Sequence, residues 1–432
     1  MEHTVTIRDE LWAYLAQEDL SINRFAALSG IHSGTLSRIM KGRQAMAMSH
    51  LERITQTMGL AEDFFYSKYV NECLYDSAPT WRRLRPFILR SAQLERLDCI
   101  EQLIHGLLDN LVYAPLLFDL AEELFQQDKH QAAAIIYENV AASEKYQHSE
   151  RLALCQYRLF VMALGDDPQQ NLIEATLFEN YVNRLDEAHQ LDALKQLLHV
   201  YYSLHHWEKA EELAQELYRL ATIQYQFRSR SDHRDTSHEV LKRPVYYYIL
   251  YAQLMRSCTY EERGDHKTAL KLVPLYTDGS WIQEKGEEVN QIVAQFKEWG
   301  TANTYLNRLM DGQQEALEEY VEFVSTREKE IFAALFRIVQ TANRYHWDVD
   351  HILQRFSAYI PYRRHFIRDK QINDDHHARF RSELATYYLA RRRFGAKEIA
   401  MRSVDLSAEV DHDRNVIKGT ISVDFEINIA ST

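Results

Sequence analysis

Helix breakers are scarce in this sequence. Among 432 residues only 13 are glycine and 7 proline. No low-complexity tract appears, which excludes long disordered stretches and leaves an all-helical protein as the expectation. Cysteine is equally sparse: Cys73, Cys99, Cys155 and Cys258 lie too far apart for a zinc ribbon or a disulfide framework. They read as small buried apolar groups in a reducing cytosol. No apolar run approaches the ~20 residues of a bilayer span, and the first residues, with Glu2, Asp9 and Glu10, lack an apolar signal core. A soluble, cytoplasmic protein is therefore expected. Positive charge is in deficit, 50 basic against 63 acidic residues for a net −13, so any nucleic-acid contact must be local.

Signatures of catalysis are missing too. There is no glycine-rich phosphate loop, no His-Glu-x-x-His helix and no dinucleotide fingerprint, so neither enzymatic activity nor a cofactor is expected. His376 and His377 follow Asp374 and Asp375, and His412 lies between Asp411 and Asp413. Adjacent helical residues point about 100° apart and make poor shared ligands, so these read as solvated polar loops rather than metal sites. Tyr246, Tyr247, Tyr248 and Tyr251 read as helix packing rather than a cofactor box.

What is present begins with five short helical segments in residues 1–66. Asp9 to Glu18 carries Leu11, Trp12 and Leu15 on one face. Ser21 caps a second helix with Phe25 and Leu28, and Gly30 supplies the sharp turn that follows. Ser33 caps a third helix, Gly34 to Lys41, with Leu36, Ile39 and Met40 inward and Thr35, Ser37, Arg38 and Lys41 outward. Gly42 ends it. Ser49 opens a fourth helix with Leu51, Ile54 and Met58 inward, closed by Gly59, and Ala61 to Tyr66 is a fifth helical piece. Residues 32–53 hold Arg38, Lys41, Arg43 and Arg53 against Glu52 alone, a local basic patch suited to phosphates.

The run from Ser21 to Arg43, with Ala26 in the second helix, Gly30 in the turn and the Ser33 to Gly42 helix in register, resembles the phage-repressor-like (Xre-type) helix-turn-helix domain. The resemblance implies that the third helix enters the major groove of an operator. Ser33, Thr35, Ser37 and Arg38 are then the candidates for base or phosphate contact, flanked by Lys41 and Arg43, with Asn23 and Arg24 donating to phosphates across the groove. A domain this small rarely binds tightly alone, so a homodimer is expected.

Trp81-Arg-Arg-Leu-Arg-Pro86 interrupts the helical pattern, because Pro86 disfavours helix at Arg85, and places a linker over 67–90. Its Arg82, Arg83, Arg85 and Arg90 form a second basic cluster, read as a solvated face. Beyond it a turn followed five positions on by alanine recurs in Asp128 to Ala133, His205 to Ala210, Gly264 to Ala269 and Asp311 to Ala316, with a looser unit near Gly165 to Ala175. Small turns and small contact residues fit helical hairpins stacked on one another. Further hairpins are placed at Tyr345-His-Trp347 and Arg392-Arg-Phe394, and an inserted loop over Arg228 to Arg243.

These units resemble tetratricopeptide repeats, Gly264-Asp-His-Lys-Thr-Ala-Leu270 being nearest, at spacings wider than the family's ~34 residues. The expected fold is therefore all-α: a five-helix DNA-binding domain (1–66), a linker (67–90), a right-handed α-solenoid of tetratricopeptide-like hairpins (91–410) and a C-terminal extension (411–432). In that extension Ile421, Val423, Phe425, Ile427 and Ile429 alternate as a short β-strand. It would pair with a strand around Asn415 to Lys418, with the same strand of a second subunit, or lie in the solenoid groove. The two-part architecture resembles the RRNPP peptide-pheromone receptors of Gram-positive bacteria, including the phage arbitrium receptors. That resemblance implies quorum sensing: a short signalling peptide in the concave repeat surface controls dimer geometry and DNA affinity. Aligned to the repeat pattern, Lys195, His199, Tyr202, Thr301, Tyr305, Arg308, Arg379 and Ser382 face the groove, joined by Asn303, Asn307 and Asn343, whose amides donate and accept at once. The same residues also read simply as exposed helix positions. Two other uses of the repeats stay open: docking a protein partner, or an autonomous repressor whose C-terminal strand seals the groove.

Overall fold

Apolar residues at helical spacing, with few breakers, give twenty α-helices among the described residues and no strand there. The computed structural model describes residues 5–76, 78–108, 110–146, 149–230, 241–360 and 370–391. The expected hairpin at 392–394, the pair Asp411 to Asp413 and the strand over 421–429 with its partner at 415–418 lie outside them.

The chain divides into two units, residues 1–170 with 176–186, and 171–175 with 187–432. The first holds α1 (Ile7–Gln17), α2 (Ile22–Ser29), α3 (Ser33–Met40), α4 (Met48–Thr57), α5 (Tyr66–Asn71), a π turn (Glu72–Asp76), α6 (Trp81–Gln93), α7 (Leu97–Leu107), α8 (Ala114–Gln126), α9 (His130–Ser143) and α10 (Glu150–Ala163). Helix α11 (Pro168–Glu179) follows. One core runs without interruption from Ile7 through Phe87 and Leu103 to Cys155. The N-terminal helices are thus packed onto α6–α10, and apolar contact holds them there.

The stretch 67–90, expected as a linker, is helical for most of its length. Pro86 sits inside α6. Its missing N–H deprives the Arg82 carbonyl of a partner, but Pro86 and Arg82 are both on the solvent side, where water serves that carbonyl. Leu84, Phe87, Ile88 and Ala92 bury the opposite face and hold the helix together. The arginines expected to form a solvated cluster are mostly tied down: Arg85 to Glu123 at 2.6 Å, Arg90 to Glu62 at 2.5 Å, and Arg83 in the interior.

The second unit comprises α12 (Glu187–Ser203), α13 (Trp207–Arg230), α14 (Val245–Glu262), α15 (His266–Thr277), α16 (Glu287–Met310), α17 (Ala316–Ser325), α18 (Ile331–Tyr345), α19 (Asp350–Arg355) and α20 (Lys370–Ala390). Helices α12 to α16 pack each on the next in sequence. The recurrent turns adopt left-handed backbone at Asp128, His205, Gly264 and Gly312, and at His346 before Trp347, residue types that enter that region most readily. The alanine five positions after the start of each recurring unit, Ala133, Ala210, Ala269 and Ala316, is fully buried, so a helix backbone approaches its neighbour closely there. Tyr246, Tyr247, Tyr248 and Tyr251 are buried packing groups.

Two expected loops are corrected. Helix α13 continues through 228–230, and only 231–240 of the expected insertion lies outside the described residues. His377, read as part of a solvated loop, is a buried residue of α20 whose Nε2 lies 3.1 Å from the Ile360 carbonyl.

Candidate nucleic-acid interface

Local capping fixes the two helices of the turn. Ser21 Oγ accepts from the Arg24 N–H at 3.2 Å and starts α2, and Gly30, at φ +65°, ends it. The cap of α3 is His32, not Ser33: its Nδ1 accepts from the Gly34 N–H at 3.2 Å. An unprotonated imidazole nitrogen serves here as a serine hydroxyl would. At the other end Gly42, φ +68°, bonds to the Ile39 carbonyl at 2.9 Å and Arg43 N–H to that of Arg38 at 2.8 Å, the crossed pair that closes a helix on glycine. Arg53 on α4 braces the turn from outside, Nη1 donating to the Gly30 carbonyl at 2.9 Å.

Leu36, Ile39 and Met40 face inward as expected. Other details of the first 66 residues differ. Helix α1 starts at Ile7, where Thr6 and Asp9 cap each other, and Ile7, Leu11 and Leu15 are buried while Trp12 is 45% exposed. Leu28 faces solvent, α4 begins at Met48, and the fifth helix is Tyr66–Asn71 rather than Ala61 to Tyr66. Burial, and then the nearby Arg53 charge, lower the pKa of His50, and its Nδ1 accepts from the Ala47 N–H at 3.3 Å.

Ser33, Thr35 and Ser37 are partly exposed on α3; Asn23, Arg24, Arg38, Lys41 and Arg43 are exposed. Among the described residues no carboxylate pairs with Arg24, Arg38, Lys41 or Arg43, whereas Arg8, Lys68, Arg90 and Arg96 elsewhere in the unit each have an acidic partner. Positive charge is therefore left uncompensated around α3 in an acidic chain, the arrangement that phosphate neutralisation requires. The sequence reading missed Gln44: its Oε1 accepts from Arg38 Nε at 3.0 Å while Thr35 Oγ1 accepts from Nη2 at 3.4 Å. Both acceptors are neutral, so they orient the guanidinium without cancelling its charge.

The candidates in the second unit are not brought together. Asn307 is 0% exposed, donating to Glu261 Oε2 at 2.7 Å while its Oδ1 lies 3.0 Å from His266 Nδ1. Tyr202 is 3% exposed and packs edge-on against Trp207. Both are packed away, Asn307 by partners distant in sequence and Tyr202 by a ring five positions on. Asn303 donates to the Tyr276 hydroxyl, Asn343 to Glu383, and Arg308 to Gln313 and Glu319. Thr301 donates back to the Lys297 carbonyl, Tyr305 packs on Phe323, and the Lys195 ammonium lies 5.1 Å from the Tyr251 ring centre. His199 is half-buried. Arg379 and Ser382 line a cavity, about 340 Å³ in volume, with His205, Glu262, Arg337 and Gln340. A second cavity of about 200 Å³ shares Glu262, Arg337 and Gln340 with it.

Residues 10–61 match the family of Cro/C1-type HTH DNA-binding domains. No curated protein and no solved structure shows significant similarity to the chain. The N-terminal part is therefore a helix-turn-helix DNA-binding domain, as a DNA-binding transcriptional regulator carries. No helix among the described residues is long and apolar enough to cross a membrane.

Proposed function

We propose that the chain is a sequence-specific transcriptional regulator that reads an operator with α3 as a homodimer, in the cytoplasm, with its second unit tuning the affinity. The observation that carries the reading is the set of cations at Arg24, Arg38, Lys41 and Arg43, without acidic partners among the described residues, around the hydroxyl-bearing face of α3. Hydroxyls of Ser33, Thr35 and Ser37 donate to and accept from base edges or phosphates, and Asn23 reaches the backbone across the groove. Affinity for a duplex selected from a random-sequence library, measured by anisotropy across a salt series, tests it. Neutralising four phosphates gives a slope of log K on log salt of about −3.6 per domain, and twice that for a dimer. A salt-independent affinity, or equal affinity for scrambled duplexes, rejects the reading.

For the second unit the proposed ligand is a short peptide held across the two cavities that share Glu262, Arg337 and Gln340, on a right-handed solenoid of tetratricopeptide-like hairpins. Support comes from the polar lining: Arg379 suits a carboxylate, Gln340 and Ser382 can satisfy backbone groups, and Arg337 pairs with Glu262 at 3.2 Å in the wall. Calorimetry with a random peptide pool, and with Arg379→Ala as control, tests it. Binding heat lost in the variant supports the site; no heat at all rejects it.

A further inference from the structure

Three side chains beyond the matched residues 10–61 grip the loop that follows the reading helix. Met46, in the segment between Gly42 and α4, is 0% exposed. Its N–H donates to Glu72 Oε1 at 3.2 Å, and its carbonyl accepts from the Tyr69 hydroxyl at 2.8 Å and from Arg83 Nε at 3.1 Å. Both backbone groups of one loop residue are thus satisfied from α5, the π turn and α6. The same Glu72 Oε1 accepts from Arg8 Nη2 on α1 at 3.4 Å, and Arg83 Nη2 reaches the Cys73 sulfur at 3.4 Å. Glu72 is only 3% exposed, and it opens the π turn, where the helical hydrogen-bond ladder slips by one residue.

A buried carboxylate and guanidinium are costly to desolvate and persist only when hydrogen bonds surround them. Here what surrounds them is the peptide unit of the loop that carries Arg43 and Gln44, and Gln44 in turn orients Arg38. We infer that Tyr69, Glu72 and Arg83 are positioning residues for DNA binding: by clamping Met46 they set the placement of α3 and its flanking cations from outside the helix-turn-helix domain. The inference rests on the DNA-binding reading. Reading side chains must be held within about 0.5 Å of their productive placement, and a loop released at Met46 loses the two anchors that fix its path.

The test uses the full chain, with one duplex selected from a random library by the wild type and one scrambled duplex of equal composition. Glu72→Ala is expected to lose about tenfold affinity for the selected duplex with little change for the scrambled one, so the ratio between them narrows. Glu72→Gln keeps an acceptor for the Met46 N–H and restores most of the ratio. A substitution that merely lowers the folded fraction reduces both affinities alike and leaves the ratio intact; that result, or an unchanged pair of affinities, overturns the clamp. If Glu72→Ala does not fold, Tyr69→Phe, which removes one hydroxyl and keeps the ring, carries the same comparison with about a threefold loss. Wild-type protein that prefers no duplex fails the DNA-binding reading itself, and the clamp falls with it. Preference retained in every variant removes the clamp alone.

Discussion

The Arg38 guanidinium donates through Nε to Gln44 Oε1 at 3.0 Å, reaching past the glycine that ends α3. A neutral acceptor fixes the direction of a charge it does not screen, so the Arg38 guanidinium is pre-ordered with its charge intact. Arg38→Ala should weaken operator binding by about 1–3 kcal/mol if it reads a base, with relaxed preference at one position; if it touches a phosphate, the salt slope should drop by about 1. Gln44→Ala should cost less, under about 1.5 kcal/mol, since it only restores rotamers to the arginine. Anisotropy titrations of both variants across a salt series separate these outcomes.

Gly30 occupies left-handed backbone at φ +65°, and its carbonyl is held by Arg53. A side chain at Gly30 costs about 1–2 kcal/mol through its own backbone, so Gly30→Ala should melt several degrees below the wild type. Arg53→Ala, which leaves the backbone unstrained, should cost about 1 kcal/mol. Thermal unfolding followed by circular dichroism gives both values, and a larger loss for Arg53→Ala would locate the strain elsewhere.

What the sequence revealed was what short range decides. Gly30, Gly42 and Ser21 act on their own turns, and Leu36, Ile39 and Met40 repeat at helical spacing, so α3 and its outward hydroxyls were legible. His32 was missed as the cap because imidazole plays that part only as one tautomer, which no residue spacing encodes. Pro86 was misread because the cost of a helical proline depends on whether the freed carbonyl meets water. Asn307 and Asn343 looked available for a ligand, yet their partners Glu261 and Glu383 lie about 40 positions or more away in sequence. The Met46 clamp is of the same kind: none of its contacts is local.

Ala269 is fully buried on α15, where the Ser257 hydroxyl of α14 donates to its carbonyl at 3.0 Å. Because Ala269 is fully buried, a larger side chain there must displace its neighbours. Ala269→Leu should destabilise the second unit by about 1–3 kcal/mol through overpacking, read as a lower urea midpoint. Lys267→Ala, two residues away and exposed, should stay within about 0.5 kcal/mol. Equal midpoints for the two variants would mean that α14 and α15 do not meet as closely as described.

Glu261 joins a hydrogen-bonded chain: His266 Nδ1, as its N–H, donates to Asn307 Oδ1, and Asn307 Nδ2 donates to Glu261 Oε2. Burial first, and then the neighbouring Glu262, raise the Glu261 carboxyl from 4.5 to about 7, against the opposing pull of Arg337 and Asn307. The folded chain therefore holds this proton more tightly than the unfolded chain, whose carboxyl has the ordinary value. Below about 4.5 the contribution to stability is fully present, and it is lost as pH rises towards about 7. Glu261→Gln keeps the acceptor for Asn307 and has no proton to lose. Its melting temperature relative to the wild type should rise between pH 5 and pH 8, because only the wild type must bury a charge at the higher pH. Comparing the two proteins at each pH cancels the titration of groups that do not interact with Glu261. A constant difference across that range would show that Glu261 ionises like an exposed carboxylate and that its contact with Asn307 does not depend on the proton.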